Sequence, residues 1–458
     1  MDSLSKLYTF NPKTLWRQLR KEHFAFWMLS LYIVFQYLEP QEIYRRLDVI
    51  PWDKVAIGLA FLALPMDPQR RWVRDSTNIW MTLFLIAIFV SSALAIFPEI
   101  SWKYWFVFVD WYVIYFLIIN TVTTAERYFI VLAIFLLANF KMAIFGARTW
   151  ISRGFGFVNW GIEGPHGFFQ NSADLSTEML MFAPIAFELA MYVKPYVKRV
   201  THWFLLAGSV AGAMTVMGAS SRGAQVAMGG QAGWMAIQRK LKLRVVLAMA
   251  VALIIGWQLL PAHEKARFER SGTDQTSVQR LDYWRAGLKM VEQHPFLGVG
   301  FFNFPAIYAI REPNRLFFGH AQLPHNIFIQ VGTDTGLIGL FIFLMLIYRN
   351  LKLTTEIRRT CTRVREAPGY APAVARGLAL ATWGFVIAGQ FNTVSYYPFL
   401  WINLALTVSL ANIVRKAAAE QAWAKLPDQP TRPKSISSKS SVVQTSALIA
   451  QKSDDACT

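Results

Sequence analysis

The chain has 458 residues, of which 54% are hydrophobic and 15% aromatic, and only 16% are charged. A soluble domain carries about 25% charged residues, so the composition excludes a soluble multidomain enzyme, as well as a disordered, collagen-like or disulfide-rich chain. Against 28 Asp and Glu stand 46 Lys and Arg, a net charge of +18; they sit in short clusters between apolar runs, as cationic loops on one side of a membrane protein do, rather than as a nucleic-acid surface.

A helix crosses the hydrocarbon core in about 20 residues. With that window the sequence predicts an all-α polytopic integral membrane protein with twelve transmembrane helices. They fall near 24–38, 50–65, 78–97, 102–120, 127–146, 173–193, 203–219, 223–237, 244–260, 324–348, 373–391 and 397–414. Residues 1–23 are polar and basic and precede an uncleaved helix, so they read as a cytoplasmic N-terminus with no cleavable signal peptide. Loop charge then sets the orientation. Lys6, Lys13, Arg17, Arg20 and Lys21, then Arg70, Arg71 and Arg74, then Lys194, Lys198 and Arg199 fall on one side of a twelve-span plan. Arg239, Lys240, Lys242 and Arg244 follow, and then the basic loop at 349–372. That side is the cytoplasm by the positive-inside rule. Arg45 and Arg46 run against the trend, beside Glu39, Glu42 and Asp48.

The opposite face carries two sizeable loops, 147–172 and 261–323. The second is the large periplasmic loop, set between helices 1–9 (24–260) and helices 10–12 (324–414), and it is long enough to hold short helices. Ser277 to His294 reads as one of these, an amphipathic helix with Leu281, Trp284, Leu288 and Val291 at helical spacing. The stretch 415–458 lacks apolar periodicity and carries Pro427, Pro430 and Pro433 before a Ser-rich run, which predicts a disordered cytoplasmic tail. Cys361 and Cys457 lie far apart in polar stretches and suggest neither a disulfide nor a metal site.

Four polar patches fall at the outer ends of spans. They are Gly164 to Asn171, Ser220 to Ala224, Arg280 to Trp284 with His294 to Gly300 and Asn303, and Pro324-His325-Asn326. Arg222 and Arg280 work against the charge bias of that side. A lone arginine there is ordinarily a snorkelling or turn residue. Two of them suit an anionic ligand, because the planar fork fits a diphosphate and keeps its charge at any pH. A neutral His325 can accept a proton from a hydroxyl; the plain alternative is that His325 and Asn326 cap the helix after Pro324. His320 lies five residues away, a spacing that matches no strong zinc pattern. His294 reads as a helix end. Gly298-Val299-Gly300 reads as a turn, since no βαβ unit surrounds it. Asp110, Lys141, Glu178 and Asp334 fall inside predicted spans and are costly there unless paired or facing a cavity.

In their order and sidedness these patches resemble the bacterial O-antigen ligase and O-antigen polymerase superfamily over residues 20–415. The closest matches are Ser221-Arg222-Gly223, Arg280 with Tyr283-Trp284, His294-Pro295 through Gly300, and His325-Asn326. The resemblance implies a multi-pass protein of the bacterial inner membrane with its active site facing the periplasm. It implies an inverting, metal-independent glycosyltransferase without cofactor, acting in lipopolysaccharide or surface polysaccharide biosynthesis. The donor would be a glycan on undecaprenyl diphosphate, and the acceptor lipid A-core or another glycan. Arg222 and Arg280 would bind the diphosphate, and His325 would be the catalytic base. Ser221, Tyr283, Trp284 and Asn326 would support them. A ligase-type transfer is the leading reading and a polymerase of O-antigen or exopolysaccharide units the next. A secondary transporter shares the twelve-span plan, but such folds usually carry repeated halves, and no internal repeat is visible here.

Overall fold

The computed structural model describes residues 3–44, 49–157, 161–165, 167–239, 242–244, 247, 251, 258, 265–266, 269, 272–316 and 319–424. Among these there are helices and turns and no strands. The helices are α1 Ser3–Leu7, α2 Pro12–Leu19, α3 Phe24–Leu38, α4 Pro40–Ile43, α5 Trp52–Ala63, α6 Ser76–Ala93, α7 Pro98–Tyr104, α8 Phe106–Thr121 and α9 Ala125–Ser152. They continue with α10 Ser172–Val193, α11 Arg199–Gly218, α12 Arg222–Gln238, α13 Gln275–Gln293, α14 Phe304–Arg311, α15 Ile327–Cys361, α16 Ala371–Ala388 and α17 Pro398–Trp423. The chain divides into two compact units, Met1–Ala418 and Ala419–Thr458. Of the second, 419–424 are described, so most of the stretch read as a tail lies outside the described residues. The apolar span read at 244–260 lies almost wholly outside them as well.

Eight of the described helices, with α7 and α8 taken together, are long and apolar enough to cross a membrane. The chain is a multi-pass membrane protein. The expected count of twelve is larger. Of the remaining four spans, the one at 244–260 lies almost wholly outside the described residues. The others correspond to α3 with 15 residues, α5 with 12 and α12 with 17, each shorter than the thickness a straight helix must cover.

Helix starts follow local chemistry. Asp75, Thr124, Asn171, Asp274 and Asn326 each accept a backbone N–H of the first turn they precede, which satisfies donors that a helix leaves open. Packing then sets the arrangement within the first unit. Helix α10 lies against α11 and α16, α9 against α11 and α3, α15 between α6 and α16, and α12 against α16. Every residue of α17 from Pro398 to Ala411 is buried, around Trp401. Lipid supplies no hydrophobic drive between helices, so close backbone approach decides which faces meet. At Gly377 a Cβ would lie 2.7 Å from the Ile185 Cα, so glycine allows α16 to touch the backbone of α10.

Buried ion pairs tie other elements together. Arg127 at the start of α9 donates to Glu22 at 2.6 Å and to both oxygens of Asp67 at 2.5 and 3.0 Å. All three side chains are buried. Glu188 holds Arg239 and Arg376, and Arg415 bridges Asp75 and Glu356. Removing one partner of a buried pair leaves the other charge uncompensated. The Arg127→Ala variant is therefore expected to lose about 3–5 kcal/mol of stability, read as a large fall in its thermal midpoint in detergent; an unchanged midpoint would contradict this account.

The intramembrane charges named from sequence have separate fates. Asp110 pairs with Lys54, and Lys141 donates to the Leu38 carbonyl at 3.1 Å. Asp334 and Glu178 are buried.

Candidate functional site

The turn that joins α11 to α12 bends through Ser220, whose φ is 59°. It leaves Ser221 as the N-cap of α12, without a side-chain capping bond, and Arg222 as the first helical residue. Arg222 reaches across to α13. It donates to Asp274 in a forked pair at 3.0 to 3.2 Å and to Ser277 Oγ at 3.2 Å. The sequence suggested a site for an anion at Arg222, and the structure shows that a carboxylate of the chain itself already occupies its fork. Burial raises the Asp274 pKa, but hydrogen bonds from Arg222, Ser277 and Thr276 outweigh that and hold the carboxyl below the usual carboxylate range. Asp274 was not singled out from sequence. Its only signal there was its place as a cap before a helical period.

Arg280 lies within the same helix and is half-buried. It makes no side-chain hydrogen bond or ion pair among the described residues, and its guanidinium feels both Arg222 and Asp274. Burial, then the Arg222 charge, lower its pKa. Both arginines line one cleft of about 340 Å³, whose other described walls include Val226, Leu281, Trp284 and Phe391. One carboxylate thus faces two guanidiniums beside an apolar wall. The expected amphipathic helix is present, as α13. Its buried face is Gln279, Tyr283, Gly287 and Met290, whereas Leu281 and Leu288 are exposed. The apolar stripe read from sequence is split: Leu281 and Trp284 line the cleft, Leu288 is exposed, and Val291 lies close to Gly332 of α15.

Tyr283 and Trp284 carry the link to His325. The Tyr283 hydroxyl accepts the Gln322 N–H at 3.0 Å and a Gln279 side-chain bond at 2.8 Å. Trp284 Nε1 donates to the Pro324 carbonyl at 3.0 Å. The Tyr283 ring lies 6.3 Å from the His325 ring at 23°. His325 itself is half-buried and has a φ of 51°. Its Nε2 is 3.0 Å from Gln322 Oε1, its N–H donates to Thr393 Oγ1 at 3.0 Å, and its Nδ1 is 3.4 Å from that oxygen. Burial, then the charge of Arg280, push the imidazole pKa down from 6.5 to about 4, so the ring is neutral at pH 7.

His325 is not among the described residues that line the arginine cleft. It stands behind the cleft wall, joined to it through Tyr283 and Trp284, and close enough to Arg280 to feel its charge. Asn326 does not orient the ring. Its Oδ1 caps α15 by accepting the N–H groups of Phe328 and Ile329, and its Nδ2 donates to Gln390. His294 is the exposed C-cap of α13, and His320 is exposed. Asn171 caps α10, and His166 lies outside the described residues. No group of three or more His, Cys, Asp or Glu suited to a metal occurs among the described residues.

The glycine run has a role that sequence reading missed. Helix α15 is broken at Gly336, with φ 66° and ψ −168°, a region that essentially only glycine occupies. The segment after His294 fills the break. The Pro295 carbonyl accepts the Leu337 N–H at 2.7 Å, and the Val299 N–H donates to the Thr333 carbonyl at 2.8 Å. The Phe302 N–H reaches Asp334 Oδ1 at 3.1 Å. Gly298 has a φ of +72°, and a Cβ there would meet the Thr333 carbonyl oxygen at 2.3 Å. Backbone groups freed by an interrupted membrane helix must find partners in protein, and this segment supplies them. It also fixes α13 against α15, with Arg280 and Tyr283 on the former and His325 at the foot of the latter.

Fold and cleft define a multi-pass helical membrane protein with a paired-arginine site formed where a loop helix meets the bundle. Residues 207–344 match the family model described as O-antigen ligase. That stretch is similar to the O-antigen ligase family, in agreement with the resemblance read from the motifs. It contains Ser221, Arg222, Arg280, Tyr283, Trp284, His325 and Asn326, and it is shorter than the 20–415 over which the resemblance was drawn. Members of this family are membrane glycosyltransferase-like enzymes, ligases and polymerases, that act on lipid-linked glycans in surface polysaccharide biosynthesis. No curated protein matches the chain.

Proposed function

We propose that this chain transfers a glycan from undecaprenyl diphosphate to an acceptor hydroxyl at the periplasmic face of the bacterial inner membrane, as an O-antigen ligase does. The observation that carries the reading is the cleft lined by both Arg222 and Arg280 and by apolar residues. A polyprenyl diphosphate has the matching two parts, a doubly ionised head on an apolar chain. Arg280 offers a free fork to it, and Arg222 exchanges part of its bond to Asp274 for a phosphate oxygen. The periplasmic assignment rests on the distribution of basic loops.

The transfer follows from these groups. The acceptor oxygen attacks the anomeric carbon from the side opposite the diphosphate and gives its proton to His325. The bond from that carbon to the diphosphate oxygen breaks, and its electron pair leaves with the diphosphate. One bond forms as one breaks on the opposite face, so the configuration inverts. The charge that gathers on the leaving oxygen is met by fixed guanidiniums, a form of stabilisation that needs no reorganisation during the reaction. No step calls for a metal ion, and EDTA is expected to leave the purified enzyme active.

The test is genetic and chemical. A deletion strain is expected to accumulate lipid-linked glycan, and a plasmid copy to clear it. Free polymer without attachment to core supports the ligase reading; single repeats on core with missing long chains support a polymerase. Normal glycan in the deletion strain would overturn both. In the same strain the Arg280→Lys copy is expected to lose about 10²–10³ in rate, because an ammonium does not reproduce the fork. Full complementation by that copy would remove the diphosphate role of Arg280.

A further inference from the structure

His325 is held in an unusual way. A φ of 51° is sparsely populated by residues other than glycine, and it persists where the surroundings over-determine it. The surroundings here come from the segment between α16 and α17. Thr393 Oγ1 contacts His325 twice, accepting its backbone N–H at 3.0 Å and lying 3.4 Å from Nδ1. Thr393 is fixed in turn by its neighbour. The Asn392 Oδ1 accepts the Thr393 N–H at 2.8 Å, and the Asn392 Nδ2 donates to Asp174 Oδ1 on α10 at 2.8 Å. A weaker bond runs from Asn392 to Thr177 Oγ1 at 3.4 Å. Asn392, Thr393 and Asp174 are all buried. The same segment reaches two more helices. Ser395 donates to the Ile327 carbonyl of α15, and the Tyr396 carbonyl accepts Trp111 Nε1 of α8.

From this chain of contacts we infer that Thr393, anchored through Asn392 to Asp174, is a positioning residue that sets the direction and tautomer of the His325 ring. The inference rests on the reading of His325 as the base. In the structure Nε2 faces the Gln322 Oε1, which can only accept, so the ring donates Nε2–H there at 3.0 Å and Nδ1 faces the Thr393 hydroxyl at 3.4 Å. When the acceptor hydroxyl takes the place of that oxygen, Thr393 Oγ1 accepts Nδ1–H, and the lone pair then on Nε2 takes the proton of the acceptor. A base oriented by a third group is a recurring arrangement in nucleophile activation. What is particular here is that the orienting group is a neutral threonine, with Asp174 two residues further back, beyond Asn392. The charged group that bears on the ring is Arg280 from α13, and Asp174 reaches it only through the hydrogen bonds of Asn392 and Thr393. Thr393, Asn392 and Asp174 all lie outside residues 207–344, which match the family model.

The experiment compares purified variants, with lipid-linked glycan and acceptor glycolipid both extracted from the deletion strain. Thr393→Val is expected to lower kcat ~10²-fold, the scale of a misplaced catalytic group, with the donor KM unchanged. Thr393→Ser, which keeps the hydroxyl, is expected to stay near the parent rate. Asp174→Asn is expected to lose activity, and adding Asn392→Asp is expected to recover it. In that double variant Asn at 174 donates to Asp at 392, whose second oxygen still accepts the Thr393 N–H. A parent kcat in Thr393→Val, while His325→Ala is inactive, would overturn the inference and leave the base assignment standing. Activity in His325→Ala would instead sink the assignment beneath it. Should Thr393→Val fail to fold, the paired swap decides, and absence of recovery in the folded double variant counts against the inference.

Discussion

The His325→Ala variant is expected to lose transfer by about 10²–10⁴-fold, the span that a positioned general base contributes. Its thermal midpoint and its binding of lipid-linked donor are expected to stay near those of the parent, because the ring lies behind the cleft rather than among its described lining. The pH profile carries a second reading of the same residue. A pKa lowered to about 4 favours the neutral ring, so the base is competent at every pH above that value and fails only as the imidazole gains a proton. The kcat/KM profile, which reports the free enzyme, is expected to be flat from pH 8 to about 5, with its acid limb near 4. A bound diphosphate adds negative charge beside Arg280 and favours the cationic ring, so the acid limb of kcat is expected to lie higher than that of kcat/KM. A fully active alanine variant would remove His325 from the chemistry. An acid limb of kcat/KM near 6.5 would mean that neither burial nor Arg280 acts on the ring as described.

Gly336→Val is expected to be the most damaging single change to the fold. The backbone there has φ 66° and ψ −168°, and a Cβ would lie 2.3 Å from the Phe296 carbonyl carbon and oxygen. The new side chain meets backbone, not the end of a flexible side chain, so it forces the segment after His294 out of the break in α15. The Leu337 and Val299 bonds across the break go with it. A loss of at least ~3 kcal/mol is expected from strain and unpaired backbone groups together, seen as poor recovery of folded protein and loss of activity. Gly229→Ala provides the control. No atom lies within 4 Å of a Cβ at that position, so alanine there is expected to be neutral or slightly stabilising through helix propensity. Comparable folding of the Gly336→Val variant and its parent would show that the break in α15 is not a constraint on the fold.

Much of this protein was legible in one dimension. Long apolar runs with few charges can only be satisfied as membrane helices, so composition alone led to an all-helical, multi-pass chain. Ser221-Arg222-Gly223, Tyr283-Trp284 and His325-Asn326 stood out because polar and aromatic residues interrupt apolar spacing at span ends. Their order was enough to suggest a family that the 207–344 match bears out. Tertiary structure alone decided how each polar group is satisfied. Arg222 and Asp274 are 52 positions apart, and Asn392 and Asp174 are 218 apart, so no local pattern pairs them. The stripe of Leu281 and Leu288 looked like a packing face because hydrophobic spacing does not tell a core from a cleft wall or an exposed surface. The Gly298 and Gly300 turn looked ordinary because its partner, the broken helix at Gly336, follows only after another helix and a loop. Periodicity and composition are properties of neighbours along the chain, whereas hydrogen bonds and ion pairs in a low-dielectric bundle are closed between distant segments. That is why the helical class could be read from the sequence, while the pairing of Arg222 with Asp274 and the setting of His325 could not.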